Sequence, residues 1–553
     1  MLNSLQNTLK NRPTITLTTF NMILAVWIAF IFNYGFLKTI YELTPYQGIS
    51  AIAFIVATSI VLVALYNFIF QLVNWRYSTK FFACLFLFVG GISAYIVNSL
   101  GVIITADQIQ NAVETNPNEA LDLMTIQLLL WSVYTILIPI FAVFFIQIKP
   151  DPLSKTLLKK TINSVISLLV ILTLLYIFFV DYAAIFRGHR TLKGMISPQN
   201  TFASTWSYYK KHAPKKNLPH IPYGTDAKLV QEVSKSHPQK LMVLVVGETA
   251  RAESFSLNGY SKMTNPSLSQ LDIINFPNVS SCGTSTAVSV PCMFSGMTRK
   301  EYDAQLAYRR DGLLDIAQRA GYHVTWIDNN SGCKRTCDRV TKFEIPQNIQ
   351  QKWCNADGEC DDGILVDSLK YYIDQIPKDD QTPRLVVLHQ MGSHGPAYYK
   401  RTRPEFQKFK PTCDTKAIQS CDRNSLINTY DNSIVYTDHI LSSMIKTLEK
   451  VPNHLTGFWY ISDHGESTGE HGMYLHGAPY AIAPSQQTHV PMFVWFSKEW
   501  NQFNAQQASC MRQLRQQELS HDHLFPTLLH LLDVKTSVIN EKNDILNTCK
   551  NTI

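Results

Sequence analysis

Five apolar stretches in the first third of this 553-residue chain constrain it more than any other feature. They lie near 21–40, 51–73, 81–104, 124–146 and 161–181. A helix needs about 20 apolar residues to cross the hydrocarbon core of a bilayer. Lipid offers no partner to a backbone N–H or C=O, so such a stretch satisfies its own polar groups by becoming a helix. Each is therefore expected to span a membrane. The first, beginning NMILAVWIAFIF, is not read as a cleaved leader, because its apolar core is long, no small-residue cleavage site follows and four more spans come after it.

The loops set the orientation. Lys10 and Arg12 precede the first span, Arg76 and Lys80 separate the second from the third, and Lys149, Lys155, Lys159 and Lys160 lie between the fourth and fifth. The loop after the third span is acidic instead, with Asp107, Glu114, Glu119 and Asp122. Cationic loops stay in the cytoplasm, so five crossings place everything after about residue 181 outside. The expected division is a transmembrane domain over 1–182, a membrane-surface linker over 183–238 and a catalytic α/β domain over 239–553. The linker reading rests on aromatics mixed with Lys, His and Pro; a plain solvated linker has the same composition. The net charge of +7 comes without a Lys/Arg-rich block, so a membrane is the expected partner and nucleic acid is not.

The cysteines test that topology independently. Of eleven, only Cys84 lies before residue 280. The others fall into sequential couples: Cys282/Cys292, Cys333/Cys337, Cys354/Cys360, Cys413/Cys421 and Cys510/Cys549. An even set confined to the extracytoplasmic part points to disulfides in an oxidising compartment. A zinc-thiolate site is the rival reading of 333-CKRTC-337, but no Cys₂His₂ or Cys₄ pattern closes around it.

From residue 240 apolar strands alternate with helical-period segments. Strands are expected at 241-LMVLVVG-247, 323-HVTWID-328, 384-RLVVLH-389 and 457-GFWYIS-462, with helices over 311–321 and 425–450. That alternation implies a largely parallel sheet covered on both faces, whose active site gathers at the carboxyl ends of the strands. The unusual polar residues stand at those ends, in 248-ETARAES-254, 390-QMGSHGP-396 and 463-DHGESTGEHG-472. Glu248, Asp463 and His464 offer the oxygen and nitrogen donors that zinc accepts. Asp463 and His464 are adjacent and would face opposite ways in a strand, so they share a metal only if the chain has turned off the strand, which Gly465 permits. Any one of these residues alone reads as a helix cap or a surface histidine; together, at strand ends, they read as a site. The run 281-SCGTSTAVSVPCMFSG-296 adds hydroxyls at a plausible helix start, where N–H groups favour anions. Metal coordination activates such a hydroxyl as it activates water. Chemistry alone leaves Thr284, Ser285, Thr286 and Ser289 as equal candidates.

The motifs 246-VGETARAESFSLNGY-260, 281-SCGTSTAVSVPCMFS-295, 328-DNNSGCK-334, 390-QMGSHGP-396, 461-ISDHGES-467 and 474-YLHGAP-479 resemble the lipid A phosphoethanolamine transferases, which include the mobile colistin-resistance enzymes. The resemblance covers nearly the whole chain. It implies a five-helix transmembrane domain plus a periplasmic domain of the alkaline phosphatase/sulfatase type, in a monomeric, multi-pass protein of the bacterial inner membrane. It implies Thr286 as nucleophile and Glu248, Thr286, Asp463 and His464 as ligands of one zinc ion. Asn330, Ser331, Lys334, His394 and His476 match positions around the phosphoethanolamine group, with the two histidines as candidate holders of a second zinc. Glu114 matches a lipid-site carboxylate. The implied reaction moves phosphoethanolamine from phosphatidylethanolamine to Thr286 and then to a phosphate of lipid A, adding an ammonium group that repels polymyxin and other cationic peptides.

Rival readings fare worse. A sulfatase needs Cys or Ser in a C-x-P-x-R setting, and no such run exists here. A phosphoglycerol transferase making lipoteichoic acid shares the Thr and the spans, but the cysteine couples and the SCGTSTA and MGSHGP runs favour the phosphoethanolamine branch. A non-catalytic sensor would have lost one of the four core ligands, and all are present.

Overall fold

A computed structural model describes residues 12–115, 117–211, 219–230, 239–377 and 379–550. Lys10 and the linker residues 212–218 and 231–238 lie outside the described residues. The chain divides into two compact units, Met1–Ala106 with Met124–Ser207, and Asp107–Leu123 with Tyr208–Ile553.

Among the described residues, the first unit holds four helices long and apolar enough to cross a membrane: Gly48–Val73, Thr79–Leu100, Ile126–Phe145 and Leu153–Ile177. A fifth crossing is counted only if the bent pair Leu17–Phe32 and Tyr34–Leu43, which meet at 60°, is one span. The sequence reading of an unbroken first span over 21–40 is therefore corrected. The bend falls at Asn33, where a π-helical turn over Ile28–Phe32 ends, and Asn33 is fully buried. Its amide donates to Ile28 O at 3.0 Å and to Ser197 O at 2.9 Å, and its side-chain oxygen accepts from Ser197 N at 2.9 Å. A polar side chain inserted into the helical ladder is a known source of kinks. The last span's helix starts at Leu153, earlier than expected, and Lys160 is buried within it, its ammonium donating to Asn74 O at 2.6 Å and lying 3.7 Å from the Trp75 ring centroid. Part of the expected linker is helical, at Phe179–Gly188 and Gln199–Lys211.

The second unit is built on an eight-stranded sheet. Its strands are β1 (Gln239–Gly247), β2 (Ile274–Ser280), β3 (His323–Asp328), β4 (Thr341–Lys342), β5 (Arg384–His389), β6 (His454–Ser462), β7 (His489–Phe496) and β8 (Leu519–Ser520). The spatial order is β8-β2-β7-β6-β1-β5-β3-β4. Only β7 runs against its neighbours; the other pairings are parallel. Successive side chains of a strand point to opposite faces, and both faces here are covered. Leu241, Val243 and Val245 enter one apolar core with Ile364, Leu369, Tyr430 and Ile434, from helices Gly363–Asp374 and Arg423–Leu448. Met242, Leu244 and Val246 enter the other with Val290, Leu313 and Leu528, from helices Thr286–Phe294, Leu313–Arg319 and Leu524–Leu531. This is why β1 reads as a continuous apolar run rather than an alternating one.

All five expected cysteine couples are disulfides, and Cys84 is free. Thiol labelling of the denatured, unreduced protein is expected to modify Cys84 alone. Labelling of two or more cysteines per chain would contradict complete pairing.

Candidate active site

The four central parallel strands end side by side, and each hands its next residues to one place. Asp463 N donates to Gly247 O at 2.9 Å, Gln390 N to Val246 O at 3.0 Å and Asn329 N to His389 O at 2.9 Å, so the ladder continues one step past the strands. Glu248 follows β1, Asn330 follows β3, His394 follows β5, and Asp463 and His464 follow β6. The turn after β6 needs Gly465 for room rather than for an unusual dihedral. A Cβ there would lie 2.0 Å from the backbone oxygen of Gln486. The turn after β1 is held in a conformation rare for a β-branched residue: Thr249 has φ of 52°. Tyr430 Oη donates to its carbonyl at 2.7 Å, and Thr249 N donates to Asp463 Oδ1 at 3.3 Å. Such strain persists where surrounding contacts over-determine it.

Glu248, Asp463 and His464 are all buried, and one ligand atom from each lies within 4.8 Å of the others. His464 Nδ1 donates to Gly465 O at 2.9 Å, which fixes the proton there and leaves the Nε2 lone pair facing inward. Nε2 sits 3.4 Å from Glu248 Oε1 and 3.4 Å from Asp463 Oδ2, and Asp463 Oδ2 has no hydrogen-bond donor among the described residues. Three lone pairs thus converge in a dry place. Burial, and then the Glu248 carboxylate, push Asp463 well above the usual carboxylate range; burial, and then His476, push His464 well below the usual imidazole range. A divalent cation relieves all of this at once, and the O, O, N donor set is one that zinc accepts. The residues present fit a metal.

The structure separates the four hydroxyls. Thr284 Oγ1 donates to Ala478 O at 2.7 Å. Ser289 Oγ accepts from Gly283 N at 2.9 Å. Ser285 is the residue before the helix Thr286–Phe294, and its carbonyl accepts from Ser289 N at 2.8 Å. Thr286 alone turns its hydroxyl to the convergent donors. It lies 3.1 Å and 3.3 Å from the two Glu248 oxygens and 3.3 Å from His464 Nε2. It is also the first residue of its helix, where unpaired N–H groups favour developing negative charge.

The other sequence-derived residues surround this point. Asn330 Nδ2 donates to Glu248 Oε2 at 2.8 Å. Ser331 and Lys334 join it, with Lys334 Nζ donating to Ser331 Oγ at 2.9 Å and to the Glu114 carbonyl at 3.1 Å. The His464 and His476 rings lie 4.5 Å apart and the His476 and His394 rings 5.2 Å apart, so the three form a row beside the convergent donors. Glu114 is half-buried; burial raises its carboxyl, and Lys334 opposes that rise.

Matches to known proteins follow the same division. Residues 62–213 match the family model described as phosphoethanolamine transferase EptA/EptB, and residues 240–534 match the sulfatase model. The phosphoethanolamine transferase EptA of Escherichia coli K12 is 39% identical over 546 residues, covering 98% of each chain. The chain belongs to the lipid A phosphoethanolamine transferase family. The Escherichia coli phosphatidylethanolamine transferase Mcr-1 is 36% identical over 482 residues, covering 85% of this chain and 86% of that one. The integral membrane lipooligosaccharide phosphoethanolamine transferase A of Neisseria meningitidis superposes with a TM-score of 0.91 at 36% identity, covering 97% of this chain and 99% of that one. This family member accordingly combines a multi-pass membrane domain with a sulfatase-like periplasmic domain.

Sequence reasoning missed the groups that hold the candidate site residues in place. Glu466 is fully buried, accepts from Tyr398 Oη at 2.9 Å and lies 3.1 Å from His476 Nδ1, which aims the opposite ring nitrogen outward from that pair. His521 bridges two active-site segments: Cys282 N donates to its Nδ1 at 3.1 Å, and its Nε2 donates to Ser462 O at 2.9 Å. Burial lowers it to about 4, so it bridges as a neutral ring. Glu119, first counted only as a loop charge, lies 2.9 Å from His394 Nε2. Burial opposes charge on both, yet the pair wins: Glu119 is held at about 2 and His394 is raised to about 9. A carboxylate near a histidine in sequence is the signal for Glu466; for His521 and Glu119 the sequence carries none.

Proposed function

We propose that this protein transfers phosphoethanolamine from phosphatidylethanolamine to a phosphate of lipid A through a phosphoethanolamine–Thr286 intermediate, and that the transfer confers polymyxin resistance. The observation that carries this reading is the lone orientation of the Thr286 hydroxyl toward Glu248 and His464, in a chain whose relatives bear the name of that transfer. Zinc is the metal proposed, held by Glu248, Thr286, Asp463 and His464; when bound it neutralises phosphoryl oxygens and lowers the acidity barrier of a coordinated hydroxyl.

The chain's own residues then do the following. Glu248 accepts the Thr286 hydrogen bond, aligns the oxygen for attack at phosphorus and takes the hydroxyl proton as the O–P bond forms. Asn330 fixes Glu248. Lys334, anchored on Ser331, lies beside the incoming phosphodiester as a fixed positive charge. The new Thr286 O–P bond forms as the bond from phosphorus to the glycerol oxygen breaks. His394, charged through its pairing with Glu119, gives the proton that lets diacylglycerol leave. In the second half an oxygen of a lipid A phosphate attacks the same phosphorus, its proton passing to His394, and Thr286 departs with the proton returned from Glu248. A second zinc on His394 and His476 would need His394 neutral, so the charged His394 beside Glu119 favours a single zinc in this mechanism.

Mass spectrometry of lipid A from cells with and without the protein tests this. A mass increase of one phosphoethanolamine, present with the wild type and absent with Thr286→Ala, is the expected result. Unchanged lipid A in cells making the folded wild type would refute the assignment.

A further inference from the structure

Residues 107–123 lie against the catalytic residues of their own unit. Gln108 Nε2 donates to His476 O at 3.0 Å, and Gln110 Nε2 donates to Ala287 O, next to Thr286, at 3.2 Å. The short helix Pro117–Asp122 carries Glu119 and Asp122 three residues apart, a spacing that puts both carboxylates on one face. Glu119 goes to His394. Asp122 goes to a cluster of cations: Lys416 Nζ at 2.7 Å, Lys400 Nζ at 3.1 Å and Arg401 at 3.5 Å. The Asp122 side chain is 4% exposed, so water screens little of this. Lys416 also donates to the Leu121 carbonyl at 3.3 Å, at the end of the same helix.

Arg401 connects the two contacts. Its Nε donates to the backbone oxygen of His394 at 3.0 Å, and its guanidinium pairs with Glu359. His394 is therefore gripped twice, its ring by Glu119 and its carbonyl by Arg401. Both grips run to one helical turn of residues 107–123.

We propose that Asp122 is a positioning residue: its ion cluster with Lys400, Arg401 and Lys416 latches residues 107–123 onto the catalytic unit and so sets Glu119 against His394. The part played in transfer rests on the function proposed above; the latch itself does not. The cluster sets three cations against Asp122 and Glu359. Asp122→Asn leaves the three cations facing Glu359 alone and releases the turn. Asp122→Glu keeps the charge.

Hydrogen exchange of the full-length protein, compared among wild type, Asp122→Asn and Asp122→Glu, tests the latch without reference to activity. Asp122→Asn is expected to speed exchange about tenfold or more in peptides covering 107–123 and 391–397, while peptides of β1 exchange as in the wild type. Asp122→Glu is expected to fall closer to the wild type. Phosphoethanolamine transfer by Asp122→Asn is expected to drop about 10- to 100-fold, chiefly in kcat, with partial recovery in Asp122→Glu. Unchanged exchange over 107–123, or equal acceleration there and in β1, would overturn the latch. Faster exchange over 107–123 with undiminished transfer would overturn the positioning role. If the wild type transfers nothing, the proposed function has failed, and the exchange comparison still decides the latch.

Discussion

Thr286→Ala is expected to give a folded protein in which phosphoethanolamine transfer is lost, with a fall on the order of 10³-fold or more. The substitution removes one small hydroxyl from a turn fixed by the Cys282–Cys292 disulfide and by His521, so the fold has little reason to change. The Thr284 and Ser289 hydroxyls are engaged elsewhere and do not replace the missing oxygen. Thr286→Ser keeps the oxygen on a side chain with a freer χ1 and should retain part of the activity. Ser289→Ala acts differently. It strips the acceptor from the buried Gly283 N–H and should cost about 1–3 kcal/mol of stability, with transfer by the folded fraction largely preserved. Lipid A modification measured beside thermal unfolding separates the two kinds of loss. Substantial transfer by Thr286→Ala would remove Thr286 as nucleophile.

Metal removal is expected to be nearly as damaging. With Glu248 Oε1, Asp463 Oδ2 and the His464 Nε2 lone pair converging in a buried place, the metal-free protein keeps an electrostatic conflict that the bound form lacks. Chelation should abolish transfer and lower the unfolding temperature. A ligand that binds only the folded state stabilises it by about 4 kcal/mol when present at roughly 1,000 times its Kd. Zinc should restore both properties. Asp463→Asn should bind far less metal by elemental analysis while still folding, since the amide keeps the shape and removes the charge. Because the ten extracytoplasmic cysteines are paired, chelation should release no thiols, as it would from a zinc-thiolate site. Full activity after complete metal removal, or a normal metal content in Asp463→Asn, would contradict this part of the account.

The central strands were legible because both of their faces are buried, which makes β1 and β5 unbroken apolar runs bounded by polar turns. The flanking strands were harder. β2 and β7 each contain a proline, Pro277 and Pro491, and proline ordinarily argues against an interior strand. Both stand where the β2–β7 register shifts, between the pairs Val490–Val279 and Met492–Phe276, a bulge that tolerates a missing N–H. In the membrane unit Asn33, among apolar residues, gave no hint of a bend; its partner Ser197 is 164 positions away. The convergence of Glu248, Asp463 and His464 could be anticipated because strand ends in such sheets gather. The choice of Thr286 among four hydroxyls could not be made from chemistry alone and came from the family resemblance; the geometry gives it a separate reason. Residues 107–123 read as an acidic loop whose charges set the orientation, with Glu114 alone given a site role, by the family resemblance. Asp122 meets Lys400 across 278 positions, a pairing that no local pattern encodes.

The most direct test of the account is the chemical state of Thr286 after the full-length protein meets phosphatidylethanolamine without an acceptor. Intact-mass measurement and peptide mapping should then show one phosphoethanolamine per chain on Thr286, and adding lipid A should discharge it. An adduct on Thr284, Ser285, Ser289 or any other residue, or transfer to lipid A with no adduct ever forming on Thr286, would contradict the mechanism.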